Sequence, residues 1–141
     1  MLEIGCGAGK NLHRIRYELG KMVSGIDINT DAVIETKKTC MAFVGTAEDT
    51  GFPTKTVDLI LTDACLLYVP PWRIKKAKKE MLRVARKYIV MCEWHGPWGF
   101  RLGHWVRDYK KLFKEYDTKL YKVNNWAGGW AKYGYIVVVR I

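Results

Sequence analysis

Short runs of apolar and β-branched residues alternate along this chain with segments whose apolar residues recur at helical spacing. This alternation is typical of a parallel, doubly wound α/β sheet with a helix between successive strands. The chain has 141 residues and neither a repeat nor a linker, which predicts one domain over residues 1–141. The apolar runs predict seven strands, at 1–4, 22–28, 41–44, 57–62, 88–92, 120–124 and 135–141.

Four amphipathic helices are predicted between these strands. The first follows the opening strand and ends at Gly20, and Thr30 is expected to cap the second, over 31–38. The third begins at the Pro70–Pro71 pair, since proline is favoured in the first helical turn. The last carries a run of aromatic and apolar residues at helical spacing: Trp105, Tyr109, Leu112, Phe113 and Tyr116. The two strands that end the chain are expected to pair antiparallel.

A glycine-rich loop follows the first predicted strand and precedes the first helix. Its sequence is Gly5-Cys6-Gly7-Ala8-Gly9, and glycines let the backbone turn sharply and approach a ligand closely. The dinucleotide fingerprint G-x-G-x-x-G would require glycine at Lys10. Glu3, next to the loop, would repel a pyrophosphate bound at the helix N-terminus and suits an ammonium group instead.

A second acidic residue, Asp27, ends the second predicted strand. In a doubly wound sheet an acid at this place accepts hydrogen bonds from ribose hydroxyls. An acid, a glycine loop and a second acid in this order therefore indicate an adenosine ligand that carries a cationic head. S-adenosylmethionine is such a ligand.

Four segments resemble motifs of the class I S-adenosylmethionine-dependent methyltransferases, in particular the type 11 group. They are 2–9, 25–28, the stretch from Gly45-Thr46-Ala47-Glu48-Asp49 to 57–60, and 63–71. The resemblance implies a Rossmann-like sheet of about seven strands in the order 3-2-1-4-5-7-6, with the last strand antiparallel. The helix that usually precedes the first strand in this family is missing here, which suggests either a trimmed chain or a minimal enzyme with an open acceptor face.

The resemblance also implies roles for individual residues in binding S-adenosylmethionine. The loop, with Glu3, Gly5, Cys6, Gly7 and Gly9, would cradle the methionine part. Asp27 would hold the ribose and Ile28 would pack on the adenine. The family has Asp where Thr46 stands, so Glu48 or the backbone of Ala47 is expected to contact the adenine amine. Asp63, after the fourth strand, is expected to line the same site.

Polar residues after the fourth and fifth strands are the candidates for the acceptor side. Methyl transfer depends mainly on alignment, and a general base helps only where the acceptor must lose a proton. Asp63, Tyr68 and His95 are the predicted catalytic residues, and Glu93 is a further candidate base. Asp63-Ala64-Cys65 is similar to the Asp-Ala-Pro-Cys motif of RNA cytosine-C5 methyltransferases, but the proline is absent and no partner Thr-Cys follows the next strand, so a buried thiol is the simpler interpretation.

The charge of the chain is concentrated in one half. The net charge is +10, and residues 70–122 contain 15 basic and 5 acidic residues. Such asymmetry favours a polyanionic partner, RNA first, although a solvated helix face would give the same count. The residues predicted to bind nucleic acid are Lys75, Lys76, Lys79 and Arg83 on the third helix, and Lys110 and Lys111 on the last.

These observations leave three functions open. The first is an S-adenosylmethionine-dependent methyltransferase of RNA (rRNA or tRNA). The second is the same chemistry on a small molecule such as a sugar precursor, because 59–62, 86–90 and 93–97 loosely resemble sugar-biosynthesis methylases. The third is a non-catalytic subunit of this fold that binds RNA or protein. Four scattered cysteines, no Cys-x-x-Cys and no long apolar run predict a cytoplasmic protein without a metal site or membrane segment.

Overall fold

The computed structural model describes residues 1–124 and 126–141. Strands and helices alternate through the first two thirds of the chain, as predicted, except that residues 45–56 join the third strand to the fourth without a helix. In chain order the elements are β1 (Leu2–Ile4), α1 (Lys10–Leu19), β2 (Ser24–Asp27), α2 (Thr30–Lys37), β3 (Met41–Val44), β4 (Val57–Asp63), a 3-10 turn (Leu66–Tyr68), α3 (Pro71–Val84), β5 (Ala85–Trp94), β6 (Gly99–Arg101), β7 (His104–Val106), α4 (Tyr109–Leu112), β8 (Asp117–Lys122), α5 (Gly129–Tyr133) and β9 (Gly134–Arg140).

Seven of the strands form one twisted sheet in the order β3-β2-β1-β4-β5-β9-β8. The first five are parallel, and β9 runs antiparallel to both β5 and β8. The predicted Rossmann-like class, strand order and antiparallel last strand are therefore confirmed. The predicted sixth and seventh strands correspond to β8 and β9, because β6 and β7 form a separate two-stranded hairpin.

The prediction of a long final helix is wrong. Trp105 lies in β7, opposite Phe100 of β6, and the helix that follows is only Tyr109–Leu112. Gly103 lies in the turn between β6 and β7. Its φ of 80° is a left-handed conformation, which an α-helix does not contain. The residue that caps α2 also differs from the prediction. Asn29, rather than Thr30, accepts hydrogen bonds from the backbone N–H groups of the first turn.

The main core lies on the α3 side of the sheet. Ile74, Ala77 and Met81 of α3 are buried together with Ile60 of β4 and Ile89 of β5. On the opposite side, Leu12 of α1 packs in a smaller cluster beside β1 and β2. The two layers fix the carboxyl ends of β1, β2 and β4 relative to one another, which is the edge where ligands bind in doubly wound sheets.

Candidate functional site

The glycine loop joins β1 to α1 in a left-handed backbone conformation. Gly5, Gly7 and Gly9 have φ values of 75°, 51° and 76°, which residues with a side chain rarely adopt. A Cβ atom on Gly5 would lie 2.5 Å from Sγ of Cys65, and one on Gly9 would lie 2.8 Å from Cγ2 of Thr36. The loop therefore needs glycine both for its turns and for its close packing.

Asp27, at the end of β2, is held against this loop. Its Oδ2 atom accepts a hydrogen bond from Gly7 N (2.8 Å), and its Oδ1 atom accepts one from Asn29 N (2.9 Å). Two backbone donors thus fix the orientation of the carboxylate. Each of its oxygens retains a second lone pair for a ligand hydroxyl.

Two cavities open along this edge of the sheet and meet at Gly5. The first has a volume of about 300 Å³ and extends from the end of β2 to the start of α3. The second has a volume of about 280 Å³ and lies over the glycine loop and the first turn of α1. The first is lined by residues that include Asp27, Ile28, Thr46, Ala47, Glu48, Ala64, Cys65, Tyr68 and Arg73; the second by Glu3, Gly5, Cys6, Gly7, Ala8, Lys10, Asn11 and Asp63.

Two acidic side chains, those of Glu3 and Asp63, line the second cavity. Asn11 donates one hydrogen bond to Glu3 Oε1 (2.8 Å) and another to Asp63 Oδ2 (3.0 Å), so it ties the ends of β1 and β4 together. Glu3 is only 1% exposed, and its Oε2 atom has no hydrogen-bond partner among the residues that the structure describes. Burial raises the pKa of Glu3 to about 7. The hydrogen bond from Asn11 lowers this pKa, and the negative charges of Asp63 and Asp27 raise it further.

An unpartnered buried carboxylate oxygen is costly unless a ligand satisfies it. Glu3 and Asp63 both line this cavity, and Asp27 lines the adjoining one, so the site favours a cationic group with N–H donors. The ammonium end of an amino acid fits this donor and charge pattern. Asn11 was not among the predicted site residues, because its role depends on contacts with strands 8 and 52 residues away.

Comparison with known proteins decides the family. The sequence profile of the methyltransferase domain matches residues 1–88, well over half of the chain. The chain belongs to the methyltransferase domain family. It is a class I S-adenosylmethionine-dependent methyltransferase, and S-adenosylmethionine is its cofactor.

Solved structures of low sequence identity share the fold of this methyltransferase. A SAM-dependent methyltransferase from Archaeoglobus fulgidus is 17% identical, with a TM-score of 0.75 over 99% of this chain and 85% of that one. One from Methanosarcina mazei is 17% identical, with a TM-score of 0.74 over 99% and 90%. The magnesium protoporphyrin IX methyltransferase of Synechocystis is 12% identical, with a TM-score of 0.75 over 99% and 68%. No curated protein sequence matches the chain.

The structure places two of the three predicted catalytic residues of the methyltransferase at the cavities. Asp63 lines the second cavity, and Tyr68 lies at the rim of the first with 65% of its surface exposed. His95 lines neither. Its Nδ1 atom accepts a hydrogen bond from Tyr109 N (3.2 Å), and its ring packs against Tyr109 and Tyr135. These contacts hold the His95 side chain outside the two described cavities, and its catalytic role stays a prediction.

The surroundings of Glu48 and Cys65 bear on two further predictions. Glu48 lines the first cavity, but both of its oxygens face the guanidinium of Arg73 (2.7 and 3.0 Å). This pairing leaves the backbone at Ala47 as the freer of the two predicted adenine contacts. Burial raises the pKa of the Cys65 thiol well above its usual range, which disfavours a nucleophilic thiolate.

The predicted nucleic-acid residues divide into exposed lysines and one structural arginine. Lys75, Lys76 and Lys79 are exposed on α3, and Lys110 and Lys111 are exposed on α4. Arg83 is instead bound to Glu80 (2.7 Å) and also donates to Thr54 Oγ1 and Phe52 O. Arg83 therefore anchors the loop before β4. Because its guanidinium is engaged in these contacts, we do not include Arg83 in the proposed RNA-binding surface.

The residues that the structure describes contain neither a candidate metal site nor a candidate membrane-spanning helix. Across residues 1–124 and 126–141, no group of three or more His, Cys, Asp or Glu side chains is arranged to hold a metal ion. Within the same residues, no helix is both long and apolar enough to span a bilayer.

Proposed function

We propose that this methyltransferase methylates RNA, with its cofactor held across the two cavities that meet at Gly5. Glu3 and Asn11 would hold the ammonium of the methionine part, and the Gly5–Gly9 loop with Cys6 would enclose that part. Asp27 would bind the ribose hydroxyls, and Ile28 and Ala47 would contact the adenine. When bound, S-adenosylmethionine supplies an electrophilic methyl group on a sulfonium.

The protein's contribution to the transfer is mainly alignment of the acceptor. Asp63 is the candidate proton acceptor, because its carboxylate lies in the methionine-side cavity and is fixed there by Asn11. Its carboxylate would accept a proton from an acceptor N–H or O–H. Tyr68, at the rim of the adjoining cavity, is the candidate for orienting the acceptor. This arrangement supplies proximity and one base without a covalent intermediate.

The observation that carries the RNA proposal is the surface that starts at the cavity rim. Arg73 lines the cavity near the start of α3, and Lys75, Lys76 and Lys79 follow on the exposed side of the same helix. Exposed lysines that make phosphate contacts release counterions and so attract polyanions. Lys110 and Lys111 on α4 are the second basic group proposed to contact the backbone.

Two exposed aromatic rings lie just before and at the start of helix α3. Tyr68 is 65% exposed and Trp72, in the first turn of α3, is 78% exposed. Unpaired bases stack on such rings, and base–aromatic stacking is worth about 1–3 kcal/mol per base. Basic and aromatic side chains at one cavity rim fit an unpaired RNA base better than a small, uncharged metabolite.

A small-molecule acceptor is the second candidate function. Among the structures that share this fold are a magnesium protoporphyrin IX methyltransferase and a geranyl diphosphate C-methyltransferase, whose names describe small acceptors. These proteins are 12% and 11% identical to this chain, so they support the possibility of such chemistry on this fold and not a particular acceptor.

Charge reversal on α3 tests the RNA proposal. A triple variant with Lys75→Glu, Lys76→Glu and Lys79→Glu is compared with a control of equal charge change, Lys21→Glu, Lys37→Glu and Lys119→Glu, on surfaces away from the rim. We expect the α3 variant to lose at least about tenfold in affinity for structured RNA, with a shallower salt dependence, and to keep its affinity for S-adenosylmethionine. Equal losses in both variants, or no loss in either, would count against RNA as the acceptor.

A further inference from the structure

The loop that follows β4 completes the cofactor cavity, although its backbone is unusual. Ala64 and Cys65, together with Tyr68 and Val69, line the first cavity. Ala64 has a φ of 51°, in the left-handed region that residues other than glycine seldom adopt. Such a conformation persists only where the surroundings hold it in place.

A buried carboxylate holds the N–H groups of this loop. Glu93 of β5 is fully buried, and its Oε1 atom accepts hydrogen bonds from Cys65 N (2.9 Å) and Leu66 N (2.8 Å), while its Oε2 atom accepts one from Leu67 N (3.1 Å). Thr62 Oγ1 donates a fourth bond, to Oε1 (2.9 Å). The N–H groups at the start of a helical turn otherwise lack partners, and a carboxylate there makes strong, charge-assisted bonds.

A buried guanidinium holds the carbonyl groups at the other end of the same loop. Arg107 is fully buried, its Nη1 atom donates to Leu66 O (2.6 Å), and its Nη2 atom donates to Val69 O. Its own backbone is tied to the end of β5, since Arg107 N donates to Trp94 O (3.2 Å). One acidic and one basic side chain therefore hold the two ends of the loop.

We propose that Glu93 and Arg107 are positioning residues, which set the shape of the 64–69 loop and thereby the fit of the cofactor in its cavity. Neither side chain is among those that line the two described cavities, so both act through the loop backbone. The candidate role of Glu93 as a general base is replaced by this one, because its two oxygens already accept four hydrogen bonds. The inference rests on the proposed placement of the cofactor and not on the identity of the acceptor.

The substitution Glu93→Gln tests this role, because it keeps the size of the side chain and replaces one acceptor oxygen with a donor. The matched control is Glu80→Gln. Glu80 is also buried, accepts hydrogen bonds from Thr50 N and Thr50 Oγ1, and is bound to Arg83, but Thr50 lines neither cavity. The control therefore loosens a comparable polar anchor without touching the cavity wall.

Two readouts separate positioning from simple destabilisation. One is hydrogen–deuterium exchange of the amides of residues 65–67, and the other is the Kd for S-adenosylhomocysteine by calorimetry. For Glu93→Gln we expect faster exchange of these amides and a Kd raised about tenfold or more, since bonds to a charged group are lost. Glu80→Gln should leave both readouts within about twofold of the unmodified chain, at the ordinary scatter of such substitutions.

The same binding test applies to Arg107→Lys, which keeps the positive charge and loses the paired donors of the guanidinium. It stands in for Glu93→Gln if that variant does not fold. A raised Kd in either variant, with Glu80→Gln unchanged, supports the proposal. Unchanged Kd in the folded variants, or an equal rise in the control, overturns it. Because no acceptor is used, failure of the RNA proposal would leave these readouts unaffected.

Discussion

Replacement of Glu3 by glutamine should move stability and cofactor affinity in opposite directions. Glu3 is buried, and burial together with the charges of Asp63 and Asp27 raises its pKa in the folded chain to about 7, against an ordinary value of 4.5. A raised carboxyl pKa means that the folded state favours the protonated form. The stabilising contribution is therefore fully present below pH 4.5 and is lost as the pH rises through 7.

The difference between these two pKa values sets the size of the effect. It corresponds to about 3 kcal/mol of folding free energy that ionised Glu3 costs at pH 8. Glutamine has a similar shape, can still accept the hydrogen bond from Asn11 and carries no charge. We expect Glu3→Gln to stabilise the cofactor-free protein by up to about 3 kcal/mol at pH 8, and by little at pH 5, where Glu3 is already protonated.

Cofactor binding should change in the opposite sense. A hydrogen bond between the carboxylate and the ligand ammonium is charge-assisted, and losing it costs about 1.5–3 kcal/mol, or roughly 10- to 150-fold in Kd. Because the ammonium favours the ionised carboxylate, binding to the unmodified chain near pH 7 should also release protons from Glu3. Glu3→Gln should remove that release.

Urea unfolding at pH 5 and pH 8, and calorimetry with S-adenosylmethionine in buffers of different ionisation enthalpy, measure both effects. Glu18→Gln is the control, because Glu18 is an exposed acid on α1 whose partner, Arg14, is also exposed. A variant at Glu3 that is less stable at pH 8, or that binds S-adenosylmethionine as tightly as the unmodified chain, would refute the assigned role of this carboxylate.

Three further substitutions probe the rest of the site. Asp27→Ala removes the acceptor of two backbone N–H groups and the proposed ribose contact, and calorimetry should show cofactor affinity reduced by about tenfold or more. Gly9→Ala forces a side chain into a left-handed position against Thr36, and urea unfolding should show a loss of about 1–3 kcal/mol. Asp63→Ala should slow single-turnover transfer more than it weakens cofactor binding; an unchanged rate would remove Asp63 from the mechanism.

The parts of the fold that were predicted correctly depend on local patterns. The glycine loop after β1 and the acid at the end of β2 follow from residues within one β-α-β unit, where turn chemistry and strand length determine the geometry. The prediction of a long final helix also rested on a local pattern, and it was wrong. Aromatic residues between Trp105 and Tyr116 have helical spacing, yet the glycine at 103 closes a hairpin that places Trp105 in a strand.

The residues that were missed act over long distances in the sequence. Asn11 joins β1 to β4, and Arg107 reaches the carbonyl of Leu66, which is 41 positions away. An asparagine in a helix, or an arginine in a basic half of the chain, carries no local sign of such a role. The basic residues show the same limit, because Arg83 and Lys79 look alike in sequence and only the contact with Glu80 separates them.

The most direct test of RNA methylation by this chain is transfer of a tritiated methyl group from S-adenosylmethionine to fractionated cell extract, with Asp27→Ala as the control. We expect label in the RNA fraction, sensitive to ribonuclease and strongly reduced in the variant. Label confined to small molecules would contradict RNA as the acceptor and support the small-molecule alternative. No label in any fraction, despite cofactor binding, would contradict the proposed catalysis and support a non-catalytic subunit.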